Sequence, residues 1–147
     1  MAPTDPLPIV HYVAKAGWRS LDVMLWGLIP NWVKDIKIGF STLNARAEEV
    51  DTKPAFSEAF QQRRCLVTLD SFYEWKKTAA RKQPCAIALA DRRLMALADL
   101  SETWRSPADE RVRSFTIIIK TLNESCAELH NRMTVFLKLV VSLEAGY

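Results

Sequence analysis

Apolar and β-prone residues occur in short runs along the chain, separated by polar stretches or by turns that contain glycine, proline or aspartate. Runs of about four to eight such residues between turn signals favour β-strands. The pattern predicts strands at residues 8–13, 21–26, 64–69, 72–76, 84–89, 94–100, 115–122 and 135–141, with 43–50 as a strand edge or an ordered loop. Three consecutive isoleucines mark residues 115–122 as a buried strand.

Two segments have helical periodicity. Residues 52–61 place apolar side chains on one face, with Thr52 as the expected N-cap and Pro54 in the first turn. Asn123 can cap a second helix at residues 124–130. The strands at 84–89 and 94–100 are expected to pair with each other around a turn at residues 91–93. Many short strands with two short helices predict an α+β domain with a curved, mostly antiparallel sheet.

Composition agrees with a globular domain and adds little about function. The length of 147 residues suits a single domain, and 49% hydrophobic with 25% charged residues is an ordinary balance. A net charge of +3 is compatible with a nucleic-acid partner but does not prove one. We expect a cytoplasmic protein, because neither a signal peptide nor an apolar run of about 18 residues is visible.

The cysteines indicate free thiols. Cys65, Cys85 and Cys126 are odd in number and widely spaced, and they form no CxxC pair. This spacing argues against a zinc ribbon or a disulfide framework and favours a reducing compartment. Cys65 and Cys85 lie in predicted apolar strands, where we expect inert core residues.

Two neighbouring clusters could contact nucleic acid. Trp26 and Trp32 flank a glycine- and proline-containing turn, which fits either a packed corner of the core or a stacking platform for bases. Asn44, Arg46 and Glu48 share one face if their segment is extended. An arginine there could hold a phosphate through two hydrogen bonds, although an exposed strand face is the simpler interpretation.

Two further clusters could transfer protons. Glu74 lies among aromatic residues, where desolvation could raise its pKa towards neutral pH, but an ordinary two-faced strand fits equally well. His130 ends the predicted helix at 124–130, where the helix dipole would stabilise an imidazolium. Cys126, four residues earlier, permits a Cys–His pair with no third partner in view. Basic pairs such as Arg63–Arg64 either face solvent or follow a phosphate backbone.

Together these clusters resemble the SOS response-associated peptidase (SRAP) family. The motifs follow the order found in the family: WGLIPNW at residues 26–32, NARAE at 44–48, KPAF at 53–56, RRCL at 63–66, FYEW at 72–75 and HNRM at 130–133. Each motif alone is weak, whereas six in order are specific. The resemblance extends to about Met133 and implies a SRAP-like fold with a small barrel-like β core and short flanking helices.

The resemblance implies binding of single-stranded DNA at abasic sites in the DNA damage (SOS) response. Family members use an N-terminal cysteine, exposed when the initiator methionine is removed, to form a thiazolidine crosslink with the ring-opened sugar. The implied catalytic residues, which position the sugar or transfer protons, are Asn44, Glu74 and His130. The implied DNA-binding residues, which hold phosphates or stack on bases, are Arg46, Arg132, Trp26, Trp32 and Trp75. No metal or organic cofactor is implied.

The chain departs from the family pattern at its start. It begins Met1-Ala2-Pro3-Thr4, whereas the family begins Met-Cys-Gly-Arg, and residues 2–4 match a segment that is internal in the family. The reactive cysteine and a neighbouring DNA-binding arginine are therefore missing from this sequence. Thr134 also replaces the usual proline, Ser71 replaces the usual glycine, and the resemblance is lost from Phe136 onward.

Four hypotheses follow. The chain is a SRAP domain that binds single-stranded DNA without thiazolidine chemistry, or it belongs to a longer protein whose upstream start restores the cysteine. Alternatively it is a thiol hydrolase that uses Cys126 and His130. The last hypothesis is an inactive fragment, in which loss of the first strand leaves an unpaired sheet edge.

Overall fold

The computed structural model describes residues 4–77, 79–121, 132–134 and 136–137. The helical elements are a 3₁₀ helix at Ile36–Ser41 and α1 at Ser57–Gln62. The strands are β1 (Pro6–Val13), β2 (Trp18–Trp26), β3 (Asn44–Arg46), β4 (Arg64–Leu69), β5 (Ser71–Lys77), β6 (Lys82–Ala88), β7 (Met95–Arg105), β8 (Arg111–Thr121), β9 (Arg132–Thr134) and β10 (Phe136–Leu137).

Five strands close into a small barrel. Around the ring, β1 pairs with β2, β2 with β8, β8 with β7, β7 with β4, and β4 with β1. All of these pairs are antiparallel except β2–β8, which is parallel and joins Leu25 to Ser114 and Trp26 to Phe115. Closure removes the open edges of these strands. The predicted α+β class, with a curved, mostly antiparallel sheet and a barrel-like core, is confirmed.

The strand β8 organises the rest of the sheet. On one edge, β2 pairs with Ser114 and Phe115 near the middle of β8, and β3 then continues in parallel along Ile117–Ile119. On the other edge, β7 pairs with β8 as far as Ile117, and β9 pairs with Ile119–Thr121. The end of β8 beyond Ile117 therefore lies outside the closed ring, with β3 on one edge and β9 on the other.

Two apolar clusters lie on opposite faces of this sheet. The first draws one or more members from each barrel strand: Ile9, Met24, Cys65, Val67, Leu97, Phe115 and Ile117. The second lies under α1 and the segment before it: Leu28, Ala45, Val50, Phe56, Ala59, Leu100 and Ile118. Ile117 and Ile118 belong to different clusters because successive residues of a strand point to opposite faces. The prediction that residues 115–122 hold a buried strand is confirmed for the described part.

The strands β5 and β6 form a separate antiparallel hairpin, with Ser71 opposite Ala88 and Lys77 opposite Lys82. The expected pairing of residues 84–89 with 94–100 is therefore wrong. The segment from Met95 instead pairs with β4 through Leu69 and with β8 through Asp99. A turn at residues 90–91 separates β6 from β7 without joining them as partners.

The helix predicted at residues 52–61 begins later than expected. α1 starts at Ser57, and residues 47–56 form a series of turns with a bend at Lys53. The Thr52 hydroxyl donates to the Glu49 carbonyl, 3.4 Å away, so it does not cap a helix ahead of it. The prediction of Thr52 as N-cap is wrong. The strand predicted at residues 64–69 matches β4 (Arg64–Leu69).

The two cysteines that the structure describes differ in environment. Cys65 is buried in β4, as expected, whereas Cys85 is only half-buried in the β5–β6 hairpin. The prediction that Cys85 is a core residue is therefore wrong, because its hairpin lies outside the barrel. Cys126 and the predicted helix at 124–130 lie outside the described residues. Of the predicted strand at 135–141, only β10 is described.

Candidate nucleic-acid interface

Backbone pairing brings three predicted site residues to the C-terminal half of β8. Asn44 pairs with Ile117 and Arg46 with Ile119 on one edge of β8. On the other edge, Ile119 pairs with Thr134 and Thr121 with Arg132. Residues separated by more than 80 positions along the chain thus meet within three neighbouring strands. We call this region, β3 with residues 117–121 and β9, the β8 end.

Burial of one alanine orients β3. Ala45 has no exposed surface and packs in the second apolar cluster beside Ile118. Because alternate residues of a strand face opposite ways, Asn44 and Arg46 point to the other face, where both are exposed. The expectation that Asn44 and Arg46 share one face is confirmed. Glu48 is also exposed, but it lies in a turn after the strand.

The guanidinium of Arg46 is half-exposed and weakly paired. Its Nη1 lies 3.4 Å from Oε1 of Glu49, and both side chains are about half-exposed, 47% and 45%. Exposed pairs of this kind contribute about 0–1 kcal/mol, so a phosphate could displace Glu49 at little cost. This geometry suits the phosphate-binding role that the resemblance implies for Arg46.

The loop between β2 and β3 is closed at its base by backbone contacts. Gly27 has a φ of 120° and approaches Gly39 so closely that a Cβ at Gly27 would lie 2.4 Å from the Gly39 carbonyl oxygen. Leu28 and Thr42 exchange backbone and side-chain hydrogen bonds next to this contact, with the Leu28 N–H donating to the Thr42 carbonyl and the Thr42 hydroxyl donating to the Leu28 carbonyl. The two ends of the loop also contact neighbouring residues of β8, because the Gly27 N–H donates to the Phe115 carbonyl and the Ile117 N–H donates to the Leu43 carbonyl.

Trp26, at the end of β2, and Trp32, in this loop, occupy different environments. Trp32 is 61% exposed, and the next residue is anchored because the indole N–H of Trp104 donates to the Val33 carbonyl at 2.7 Å. Trp26 is half-buried, packs against the first apolar cluster and donates its indole N–H to the Leu43 carbonyl at 2.9 Å. Trp32 has the free surface that base stacking requires, whereas Trp26 belongs largely to the core.

The β5–β6 hairpin presents a second aromatic surface. Tyr73 and Trp75 are 73% and 54% exposed, and Phe72 is half-buried, as expected for a strand with two unlike faces. Glu74 lies between these aromatic residues, with Cys85 as its partner in register. The role of Glu74 as an acid or base stays a prediction.

The predicted cluster around His130 is described only in part. His130 and Cys126 fall outside the described residues, so the Cys–His pair is not described either. Arg132 is placed only by its backbone, as the first residue of β9. Its position next to Thr121 puts it at the β8 end, close in register to Arg46.

Arg63, from one of the basic pairs, has a structural role. Its guanidinium lies 2.7 Å from Oε2 of Glu102 in β7 and 3.2 Å from Oε1 of Glu58 in α1. Burial raises the pKa of Glu102, while the nearby charge of Arg63 opposes that shift. Arg63 therefore joins α1 to the barrel, and we do not assign it to a phosphate path.

Several polar groups that sequence reasoning did not identify lie in or beside the barrel. His11 and Arg113 both contact the Asp22 carboxylate, and the hydrogen bond from His11 holds the Asp22 pKa below its usual value. Asp99 is 1% exposed, and a backbone contact with Val67 only partly offsets the burial of its carboxyl. Burial raises the pKa of Asp99 well above its usual value and also raises that of the neighbouring Cys65 thiol.

An apolar cleft of about 770 Å³ is lined by residues of β1, β4 and β8. Its walls include Val10 and Leu66 from the barrel, Phe60 from α1 and Ile118 from β8. Arg19, Arg64 and Lys120 contribute basic groups to its lining, and it extends to Ala47 and Glu48, just after β3. The cleft is thus adjacent to the β8 end.

No metal-binding group and no membrane-spanning helix is found in the described part of the chain. Within it, no three His, Cys, Asp or Glu side chains are placed to hold a metal ion. None of its helices is long and apolar enough to cross a bilayer.

Comparison with known proteins identifies the family. The sequence profile described as SOS response associated peptidase (SRAP) matches residues 1–142. The chain belongs to the SRAP family. Among its curated SRAP relatives, abasic site processing protein YoqW of Bacillus subtilis is 42% identical over 120 residues, covering 81% of this chain and 54% of the relative. Abasic site processing protein HMCES of Xenopus tropicalis is 29% identical, covering 84% and 44%.

Solved structures share the SRAP fold seen here. A protein from Bacteroides thetaiotaomicron superposes with a TM-score of 0.83 at 28% identity, covering 92% of this chain and 60% of that one. A protein from Bordetella bronchiseptica gives a TM-score of 0.81 at 23% identity, covering 93% and 70%, and supports the fold alone. This SRAP chain spans about half the length of the curated relatives it matches.

Proposed function

We propose that this chain is a SRAP domain that acts in the response to DNA damage by binding single-stranded DNA at abasic sites. Family membership supports the general role, since the matched relatives are named as abasic site processing proteins. The preference for single strands and the residue roles below are our proposal.

One observation carries the proposal: the register of β3, β8 and β9 gathers Asn44, Arg46 and Arg132 at one end of β8. Single-strand binding requires cationic groups for phosphates and aromatic faces for bases. The structure describes an exposed, weakly paired guanidinium at Arg46 and exposed aromatic rings at Trp32 and Trp75.

We assign roles by chemistry. Arg46 and Arg132 hold phosphates that flank the lesion, and Trp32 and Trp75 stack on bases. Asn44 contacts the sugar at the abasic position through its amide. Two further residues, Glu74 and His130, transfer protons as the ring of that sugar opens to the aldehyde. Trp26 packs against the first apolar cluster and supports the site from the core side.

The binding that we propose for this 147-residue chain is non-covalent. A thiazolidine forms when an amine and a thiol on neighbouring carbons both add to one aldehyde carbon, which requires an N-terminal cysteine. The nitrogens of Cys65, Cys85 and Cys126 lie within peptide bonds, so none of these cysteines offers a free amine beside its thiol.

The proposal is tested with a labelled single strand that carries one abasic site. The matched control strands carry an intact base or a tetrahydrofuran, which has no aldehyde, at the same position. We expect tighter binding to the abasic strand on a native gel and no complex on a denaturing gel. Equal affinity for the abasic and intact strands would refute abasic-site recognition. A complex that survives denaturation would refute the non-covalent mechanism.

A further inference from the structure

We propose that Trp26 is a positioning residue that sets the orientation of Asn44 through the Leu43 carbonyl, and that it does not stack on DNA bases. This inference rests on the proposed function, because it assigns the way in which the Asn44 amide is presented to an abasic sugar. It changes the role of Trp26 from a DNA contact to an internal support.

The Leu43 carbonyl accepts two hydrogen bonds from opposite parts of the chain. The indole N–H of Trp26 donates to it at 2.9 Å, and the backbone N–H of Ile117 donates at 3.1 Å. A carbonyl oxygen has two lone pairs, so both acceptor positions are used. The carbonyl direction is therefore fixed by β2 on one side and by β8 on the other.

The fixed direction of the Leu43 carbonyl also restricts the backbone orientation of Asn44. The Leu43 carbonyl and the Asn44 nitrogen belong to one planar peptide unit, so the orientation of that plane determines the backbone from which the Asn44 side chain extends. On the other side of Asn44, Ala45 is completely buried in the second apolar cluster. Asn44 is thus an exposed residue between two constrained neighbours. A side chain that must present its amide in an accurate orientation requires such constraints.

The surroundings of Trp26 support this role better than stacking. Its ring is half-buried and packs against the first apolar cluster, and the N–H of the following Gly27 donates to the Phe115 carbonyl at 2.9 Å. Trp32 in the same loop is 61% exposed and suits stacking. Trp26 therefore directs its polar group inward and has little free ring surface to offer a base.

The experiment measures the ratio of dissociation constants for intact and abasic single strands with the full 147-residue chain. Trp26→Phe keeps the aromatic ring and removes the N–H. Losing one hydrogen bond that orients Asn44 should lower this ratio about three- to tenfold, while affinity for the intact strand changes less than about twofold. Asn44→Ala should lower the ratio to a similar extent.

Two further variants separate positioning from general damage. In the double variant Trp26→Phe/Asn44→Ala, the ratio should equal that of Asn44→Ala alone, because both changes remove the same contact. Trp104→Phe is the matched control, since it removes another indole-to-carbonyl hydrogen bond in the same loop, to Val33 at 2.7 Å. This control should keep the wild-type ratio.

The outcomes distinguish this inference from the proposed function. If wild type does not distinguish the two strands, the proposed function fails and the inference fails with it. If wild type does distinguish them and Asn44→Ala loses the preference but Trp26→Phe keeps it, only the inference is overturned. An equal loss of affinity for both strands in Trp26→Phe would give the Trp26 N–H a general role in DNA binding and also overturn the inference. If the losses caused by Trp26→Phe and Asn44→Ala add in the double variant, the two residues act independently and the inference is overturned as well.

Discussion

Replacing Gly27 with alanine should disrupt the base of the loop that joins β2 to β3. Gly27 has a φ of 120°, a conformation that L residues rarely adopt. A Cβ there would lie 2.4 Å from the Gly39 carbonyl oxygen and 2.9 Å from its carbonyl carbon, both of which are backbone atoms. A flexible side chain could move aside from such a contact, whereas the backbone of Gly39 can move only with its loop.

The expected loss of stability follows from these two effects. Backbone strain at such a φ costs on the order of 1–3 kcal/mol, and forcing an extra methyl into a packed contact costs about 1–3 kcal/mol more. The sum, about 2–6 kcal/mol, is a large part of the stability of an ordinary domain. Because the loop leads into Asn44, the variant should also lose its preference for abasic DNA at temperatures where it remains folded.

Gly17→Ala and Gly39→Ala provide matched controls. Gly17 also has a positive φ, 74°, but a Cβ there would meet nothing within 4 Å, so only backbone strain of about 1–2 kcal/mol is expected. At Gly39 the added Cβ would lie 3.1 Å from the Gly27 carbonyl oxygen, and a loss of about 1 kcal/mol is expected. Urea unfolding followed by tryptophan fluorescence measures all three. Equal losses at Gly27 and Gly17 would refute the close-contact argument.

Three more predictions address the site and the core. Arg46→Ala should weaken binding to every single strand and make the affinity less dependent on salt. The control Arg105→Ala removes an exposed arginine paired with Asp109 and should change neither property. Equal salt slopes for Arg46→Ala and wild type would exclude Arg46 from the site. Glu74→Gln should leave DNA affinity within about twofold in the same binding assay, because we assign its carboxylate to chemistry, and a larger loss would make it a binding residue. Asp99→Asn should stabilise the protein by roughly 1–3 kcal/mol at pH 8 in urea unfolding, with a smaller effect near pH 4.

The sign of the Asp99 prediction follows from its environment. Burial raises the pKa of this carboxyl in the folded state above its value of about 3.9 in the unfolded chain. The folded state therefore prefers the protonated form, and wild type loses stability as pH rises above about 4 towards the folded-state pKa. Asparagine cannot ionise, so its advantage should grow over that range. An advantage that is the same at pH 4 and pH 8 would contradict the assigned cause.

Local patterns in the sequence were sufficient where a strand is bounded by clear turns. The prediction for residues 64–69 coincides with β4, and the apolar run at Ile117–Ile119 lies in β8 as expected. Such strands carry their own signal, because β-branched and apolar residues suit a buried, pleated surface. The α+β class could therefore be predicted without the coordinates.

The pairing of strands with one another could not be predicted in the same way. The turn predicted at residues 91–93 suggested a hairpin between its flanking strands, yet β6 pairs with β5, and β7 pairs with β4 and β8. A local turn signal does not decide which strand supplies a partner, since competing pairings depend on distant segments. The barrel closes through β7–β8 and β2–β8, and no short motif encodes those contacts.

In the candidate site too, residue types could be predicted from the sequence, whereas strand pairing could not. The motif that contains Asn44 and Arg46 was identified from residue types, but its meeting with β9 depends on their shared partner, β8. Trp26 and Trp32 could not be told apart in the sequence, since both flank the same turn. Their difference in burial arises from Leu43 and the barrel core, which pack against Trp26 and not against Trp32.

The most direct test of the β8 end as the DNA site is an NMR titration of the labelled chain with an abasic single strand. We predict shifts in the backbone amides of Asn44, Arg46 and Ile119 and in the indole signals of Trp32 and Trp75. The backbone amides of Arg105 and Asp109, next to the opposite end of β8, should not change. Shifts confined to the surroundings of Arg105, with β3 unaffected, would contradict the account.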